Sequence, residues 1–107
     1  MKSLSDPILK KFLRQLKRQR IRCKRLYLFG SRATGRARPD SDYDVLVVLD
    51  HRSTSLLDRL YQIVLDLLLA DGKLISLKIF TEKEFWHLAG IPTPFMTRVL
   101  REGLILG

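Results

Sequence analysis

Two aspartates at the start of a predicted strand are the residues best suited to chemistry. Asp42 and Asp44 are separated only by Tyr43, and residues at positions i and i+2 of a strand leave the same face of a sheet. Two carboxylates held side by side repel each other unless a cation lies between them. Magnesium prefers oxygen ligands and completes its shell with water and phosphate oxygens. The pair therefore predicts a magnesium site.

The segment before the aspartates has the composition of a phosphate-binding loop. Gly30 allows a close backbone approach, and Ser31 offers a hydroxyl and an N–H at the start of a turn. Arg32, Arg36 and Arg38 add cationic donors suited to phosphate. Nucleotidyl transfer needs such parts together, because a metal must bind the α-phosphate while other groups hold the outgoing pyrophosphate.

Short apolar runs predict the strands that must position these residues. The predicted strands cover residues 26–29, 43–49 and 74–80. The second run is continuous and mostly β-branched, which predicts a strand covered on both faces. Only about a dozen residues separate the first two strands, so they can pair antiparallel and make the sheet mixed.

Capping signals and apolar periodicity predict about four helices around this sheet. The first is amphipathic, with Asp6 as N-cap and Pro7 at its first position, and fades near Arg20. The second runs from Ser53 to Asp71-Gly72, the third opens with a capping box of Thr81 and Glu84, and residues 95–106 form a last helical or extended segment. The predicted fold class is α/β (α+β), a small three-stranded mixed sheet flanked by about four helices, in a single domain over residues 1–107.

The composition of the chain excludes a membrane protein and a secreted scaffold. The 107 residues are 46% apolar, no apolar run approaches the ~18–20 residues of a membrane helix, and the basic N-terminus lacks the pattern of a signal peptide. The single cysteine, Cys23, excludes an internal disulfide and suits a reducing cytoplasm. Residues 1–38 contain thirteen basic groups and one acidic group. This excess indicates an anionic partner or, alternatively, a solvated helix face.

The predicted phosphate-binding and metal-binding residues together form a known sequence signature. Gly30-Ser31, ten intervening residues and then Asp42-x-Asp44 followed by apolar residues resembles the DNA polymerase beta-like nucleotidyltransferase superfamily. The string GSRATGRARPDSDYDVLVVLD looks like its minimal nucleotidyltransferases, small prokaryotic proteins often encoded beside a HEPN-domain partner. The resemblance implies the nucleotidyltransferase fold, with Gly30 and Ser31 binding the terminal phosphates and Asp42 and Asp44 ligating Mg²⁺.

The sequence departs from the family pattern at one position. Active members usually bring a third carboxylate from the next strand, and the matching position here is Ser76, in a strand without any acid. Two hypotheses follow: an Mg-dependent enzyme that transfers an NMP, with AMP from ATP as the expected case, to a hydroxyl, or a degenerate module that binds nucleotide or partner. The acceptor implied by the resemblance is a HEPN-type partner in a toxin–antitoxin pair, a small molecule or a nucleic-acid end.

A third hypothesis, a basic nucleic-acid-binding protein with a structural acidic pair, is disfavoured because aromatic residues do not interleave the basic helix. The remaining reactive side chains are assigned structural roles. Tyr43 is predicted to point away from the aspartates, and Cys23 to be a packed thiol. His51 and His87 lack metal-ligand spacing.

Overall fold

The computed structural model describes residues 6–106, in which five helices and four strands form around one sheet. In chain order the elements are α1 Pro7–Arg18, β1 Arg25–Phe29, α2 Ser31–Thr34, β2 Tyr43–Leu49, α3 Thr54–Asp71, β3 Ile75–Thr81, α4 Glu82–Ala89, α5 Pro94–Glu102 and β4 Leu104–Ile105. The α+β class is as predicted. The additional helix, α2, is a single turn inside the segment whose small polar residues predict a loop that allows one helical turn.

The sheet is mixed and has the order β3-β2-β1-β4. β1 is antiparallel to both β2 and β4, whereas β2 and β3 are parallel. The sheet has four strands where three were predicted, because residues 95–106, predicted to be helical or extended, contribute most of α5 and then β4. It pairs two residues with the free edge of β1, and Leu106 then donates its N–H to the Leu26 carbonyl at 2.8 Å. A strand of two residues is too short for apolar alternation to indicate it.

Both faces of the sheet are covered, as the continuous apolar run of β2 predicts. Residues 45–49 are at most 1% exposed. On one face, α1 and α3 pack side chains such as Phe12 and Ile63 against Val45 and Val47. On the other, α4 and α5 contribute residues such as Phe85, and these pack with Leu46 and Val48. Asp44 has the same parity as Leu46 and Val48, so it lies on the α4–α5 face.

Local capping explains where the helices begin. The Asp6 carboxylate accepts hydrogen bonds from the N–H groups of Ile8 at 2.8 Å and Leu9 at 3.2 Å, as predicted for an N-cap. The capping box at α4 is also confirmed. Thr81 Oγ1 accepts from the Glu84 N–H at 3.2 Å, and the Glu84 carboxylate accepts from the Thr81 N–H at 2.8 Å.

The longest helix, α3, connects the parallel strands β2 and β3. Ser53 caps its start, and Gly72 ends it in the left-handed conformation, as its sequence predicts. Its buried face consists of Leu60, Ile63, Val64 and Leu67. Within residues 6–106, no helix combines the length and the apolar character that crossing a membrane requires.

Candidate active site

The two aspartates lie at the N-terminal end of β2. Asp42 directly precedes the strand and is exposed, and Asp44 is its second residue and is partly buried. Tyr43, between them, points to the opposite face as predicted and is 3% exposed. Its hydroxyl donates to Asp6 Oδ2 at 2.8 Å, and burial together with this bond raises the pKa of Tyr43 to about 12. The buried tyrosine therefore fixes the direction of both carboxylates.

Burial is the largest cause that raises the pKa of Asp44 above its usual range, followed by the negative charge of Asp42. The positive charge of Lys78 opposes both effects and lowers the pKa of Asp44. Asp42 and Asp44 are therefore close enough for their charges to interact. A cation bound between them would relieve this repulsion.

Gly30 lies directly against Asp44. The register pairs Phe29 with Asp44, so the chain leaves β1 beside the carboxylate. Gly30 adopts φ +73° and ψ −156°, a region open essentially only to glycine. A Cβ at this position would overlap Asp44 Oδ2 and lie 3.3 Å from Asp44 Cγ. The close approach predicted for Gly30 is thus to a site carboxylate, and Ser31 follows as the first residue of α2.

Arg32 has a structural role that the sequence did not predict. One guanidinium nitrogen donates to the carbonyl of Ser41 at 2.8 Å and to that of Pro39 at 3.3 Å. The guanidinium carbon lies 4.1 Å from the centroid of the Tyr43 ring, within the range of a cation–π contact. Arg32 therefore holds the loop that leads into Asp42. Its predicted contact with phosphate stays a prediction, as do those of the exposed Arg36 and Arg38.

On its other side, Asp44 borders β3. The parallel register pairs Asp44 with Ser76, so the prediction that this strand runs beside the aspartates is confirmed. Ser76 and Lys78 have the same parity and lie on the same face as Asp44. Glu82 and Glu84 lie past the strand, in α4. Among the described residues, no three His, Cys, Asp or Glu side chains come together as a metal-binding group.

Two site-bordering residues were missed by sequence reasoning. Lys78 is two positions beyond Ser76, and the alternation of side chains along a strand places both residues on the same face. Phe95, at the start of α5, is 38% exposed, and its ring meets that of Phe29 edge-on at a centroid distance of 5.5 Å. Since Phe29 pairs with Asp44, this aromatic pair borders the site on the β1 side. No local signal links Phe95 to β1, because the contact is made by tertiary packing.

A family comparison bears directly on this arrangement. The model of the nucleotidyltransferase domain family matches residues 8–99. The chain belongs to this family. The matched range contains Gly30, Ser31, both aspartates and Ser76. Membership makes the protein a transferase of the nucleotidyltransferase type, and no curated protein matches its sequence.

Solved structures show that the nucleotidyltransferase shares its fold with proteins of toxin–antitoxin complexes. The crystal structure of a toxin–antitoxin with AMP-PNP matches with a TM-score of 0.61 and 21% identity, over 92% of this chain and 72% of that one. A mutant of the toxin–antitoxin MntA-HpeT with two aspartates changed to glutamate matches with a TM-score of 0.58 and 17% identity, over 92% and 72%. A second MntA-HpeT mutant, with a tyrosine changed to alanine, matches with a TM-score of 0.56 and 19% identity, over 92% of this chain and 70% of that one.

The other candidate residues of the nucleotidyltransferase lie outside the site. Cys23 packs against the core, as predicted, and burial raises the pKa of its thiol to about 11. Burial therefore outweighs the basic neighbours that could have lowered this pKa. His51 and His87 are exposed. Of the two neighbouring aromatic residues in α4, Phe85 is fully buried and Trp86 is 51% exposed, with the Arg25 guanidinium 4.7 Å from the centroid of its ring.

The raised pKa of Asp44 predicts a conflict between stability and function. A carboxyl group whose pKa is higher in the folded than in the unfolded chain stabilises the fold below its unfolded pKa, and this contribution is lost as pH rises through the folded pKa. Asp44→Asn should therefore raise the melting temperature of the metal-free protein at pH 7, and the gain should shrink as pH falls toward the ordinary carboxyl range. Thermal unfolding from pH 7 to pH 4 tests this, with the exposed Asp40→Asn as control; equal melting temperatures of wild type and Asp44→Asn at pH 7 would contradict it.

Proposed function

We propose that the nucleotidyltransferase moves an NMP, with AMP from ATP as the expected case, onto a hydroxyl group in a magnesium-dependent reaction. The observation that carries this proposal is the shared face of Asp42 and Asp44, with the Gly30 backbone packed against the second carboxylate. Family membership supplies the reaction class. The site residues support it by offering two carboxylates that would hold a metal and a Gly30–Ser31 backbone that would bind the phosphates.

The residues present fit one magnesium ion. Asp42 and Asp44 offer hard oxygen ligands, their charges repel each other, and neither carboxylate forms an ion pair within residues 6–106. When bound, magnesium would neutralise phosphate charge and polarise the α-phosphate. The two aspartates would hold it, and the buried Tyr43 keeps them on one face.

The remaining residues would bind and orient the nucleotide. Gly30 and Ser31, at the start of α2, would bind the terminal phosphates through backbone N–H groups and the serine hydroxyl. The acceptor oxygen then bonds to the α-phosphorus while the bond from that phosphorus to its bridging oxygen breaks. Pyrophosphate leaves with the electron pair, and the hydroxyl proton passes to solvent.

The acceptor we favour is a HEPN-type partner protein in a toxin–antitoxin pair, in a reducing cytoplasm suited to the single cysteine. Two observations support this choice. The structural neighbours are toxin–antitoxin proteins, one of them with AMP-PNP, and the mutated aspartates of another are two residues apart, as Asp42 and Asp44 are. The basic N-terminal third of this chain also suits an acidic partner surface.

The second candidate function is a nucleotide- or partner-binding module without catalysis. Ser76, beside Asp44 in the register, favours it because two-metal chemistry needs ions about 3.5–4 Å apart, which two carboxylates hold poorly. Binding of nucleic acid through the basic residues is a weaker candidate, and a steep loss of affinity with salt would reveal it.

Restoring the third carboxylate discriminates between catalysis and binding alone. Ser76→Asp should raise nucleotidyl transfer, or hydrolysis of NTP to NMP and pyrophosphate, by at least about tenfold, equivalent to ~1.4 kcal/mol of barrier. Adjacent parallel strands lie about 4.8 Å apart, so the new carboxylate can serve as metal ligand and general base. The assay uses labelled ATP, magnesium and candidate partner proteins.

Ser76→Ala is the matched control, since it changes the side chain without adding a carboxylate. A Ser76→Asp protein that folds and binds nucleotide but gains no rate would mean that Ser76 is not at the third-carboxylate position. A wild type that binds the nucleotide and transfers nothing to any acceptor would favour the binding module. A wild type that binds no magnesium–nucleotide would contradict nucleotidyl transfer and would limit the second candidate to the binding of a partner.

A further inference from the structure

Lys78 is a cation on the site face of β3. Ser76 is the register partner of Asp44, and Lys78 follows two residues later with the same parity. Its side chain is exposed, and its charge acts on Asp44. Lys78 therefore lies within electrostatic reach of the carboxylates while remaining open to solvent.

Within the described part of the chain, Lys73 and Arg52 are already engaged by other groups, whereas Lys78 forms no ion pair. Lys73 Nζ donates to the Pro39 carbonyl at 2.5 Å, and Arg52 pairs with Glu84 at 2.6 Å. Among residues 6–106, no carboxylate is within ion-pair distance of the Lys78 ammonium. Its positive charge is thus available to a ligand of the site.

The sheet order determines which part of a nucleotide Lys78 would meet. Gly30 and Ser31 follow β1, Asp44 lies on the central β2, and Lys78 lies on β3, on the opposite side of Asp44. If the terminal phosphates bind beside α2, the α-phosphate and the acceptor hydroxyl lie toward β3. In that arrangement Lys78 lies on the acceptor side, where Ser76 leaves the site one carboxylate short of the family pattern.

We propose that Lys78 contacts the α-phosphate of the bound nucleotide and supplies there the positive charge that a second metal would otherwise provide. The inference rests on the proposed function and specifies its site as one that uses a single divalent cation and one lysine. As the acceptor oxygen bonds to the α-phosphorus and pyrophosphate departs with the electron pair, negative charge grows on the α-phosphate oxygens. The Lys78 ammonium stabilises that charge and keeps its protons throughout.

Binding measurements on the full chain test this without relying on turnover. The probes are MnCl2, counted by electron paramagnetic resonance, and an ATP analogue with a methylene group between the α- and β-phosphates. Wild type should bind one manganese ion per chain with the analogue. Lys78→Met should lower the affinity for the analogue about tenfold, as the loss of one hydrogen bond to a charged group predicts. Lys78→Arg should recover most of that affinity.

Lys83→Met, an exposed lysine of α4, is the matched control for loss of charge and should bind like wild type. In the transfer assay, Lys78→Met should lose about a hundredfold in rate. Equal affinities of Lys78→Met and Lys83→Met would overturn the proposal, and so would two manganese ions bound to wild type. A wild type that binds no analogue would instead overturn the proposed function, so the two failures are distinguishable.

Discussion

The Asp42→Asn/Asp44→Asn variant is expected to lose at least about a thousandfold in nucleotidyl transfer, since the charge stabilisation that a bound metal supplies amounts to several kcal/mol. Its binding of magnesium with a non-hydrolysable NTP should also be lost. Both carboxylates lie on the face that Gly30 closes on the β1 side, and an amide cannot replace a carboxylate as an anionic ligand. Isothermal titration with magnesium and the analogue, followed by the transfer assay, measures both effects.

The control is Asp50→Asn/Asp58→Asn, which changes the net charge by the same amount. Asp50 is exposed just past the far end of β2, and Asp58 is exposed in α3. This variant should bind and transfer like wild type. Equal affinity for the magnesium–nucleotide in both double variants would refute the metal site, whatever happened to turnover.

Gly30→Ala is expected to have the second largest effect, because its new methyl group would occupy the space of a site carboxylate. The strained backbone should destabilise the fold by about 1–3 kcal/mol. Displacement of Asp44 should lower transfer by about a hundredfold, the effect of a misplacement on the order of 1 Å. Chemical denaturation measures the first effect and initial rates of transfer measure the second.

Gly35→Ala separates backbone strain from displacement of the carboxylate. Gly35 also has a positive φ, +76°, but a Cβ there has no neighbour within 4 Å. This control should cost about 1–2 kcal/mol of stability and leave the rate per folded molecule close to that of wild type. If Gly30→Ala loses no more activity per folded molecule than Gly35→Ala, the close packing of Gly30 against Asp44 has no catalytic importance.

Much of the fold follows from local sequence, because the signals that produced it act over a few residues. The Asp6-Pro7 start of α1, the capping box at Thr81 and the continuous apolar run of β2 are each determined by near neighbours. The two-residue β4 is different. It exists because the chain after Gly103 meets the free edge of β1, and such a contact leaves no periodic pattern in the sequence.

In the candidate site, too, some features follow from local sequence and others depend on tertiary contacts. The common face of Asp42 and Asp44 follows from the two-residue period of a strand, which is a local property. Contacts across strands and loops do not follow from it. The ring of Tyr43 beneath Arg32 brings α2 and β2 together, and the position of Lys78 near Asp44 depends on the pairing of β2 with β3. Only the resemblance to a family identified Ser76 in advance.

One carboxylate joins the first helix to the entrance of the site. Asp6 caps α1 with one oxygen and accepts the hydroxyl of Tyr43 with the other, and Tyr43 is the residue between the two aspartates. A force applied to α1 is therefore transmitted to the backbone that carries Asp42 and Asp44. A protein bound to the basic outer surface of this helix would therefore act on Asp42 and Asp44 through Tyr43 without touching either of them.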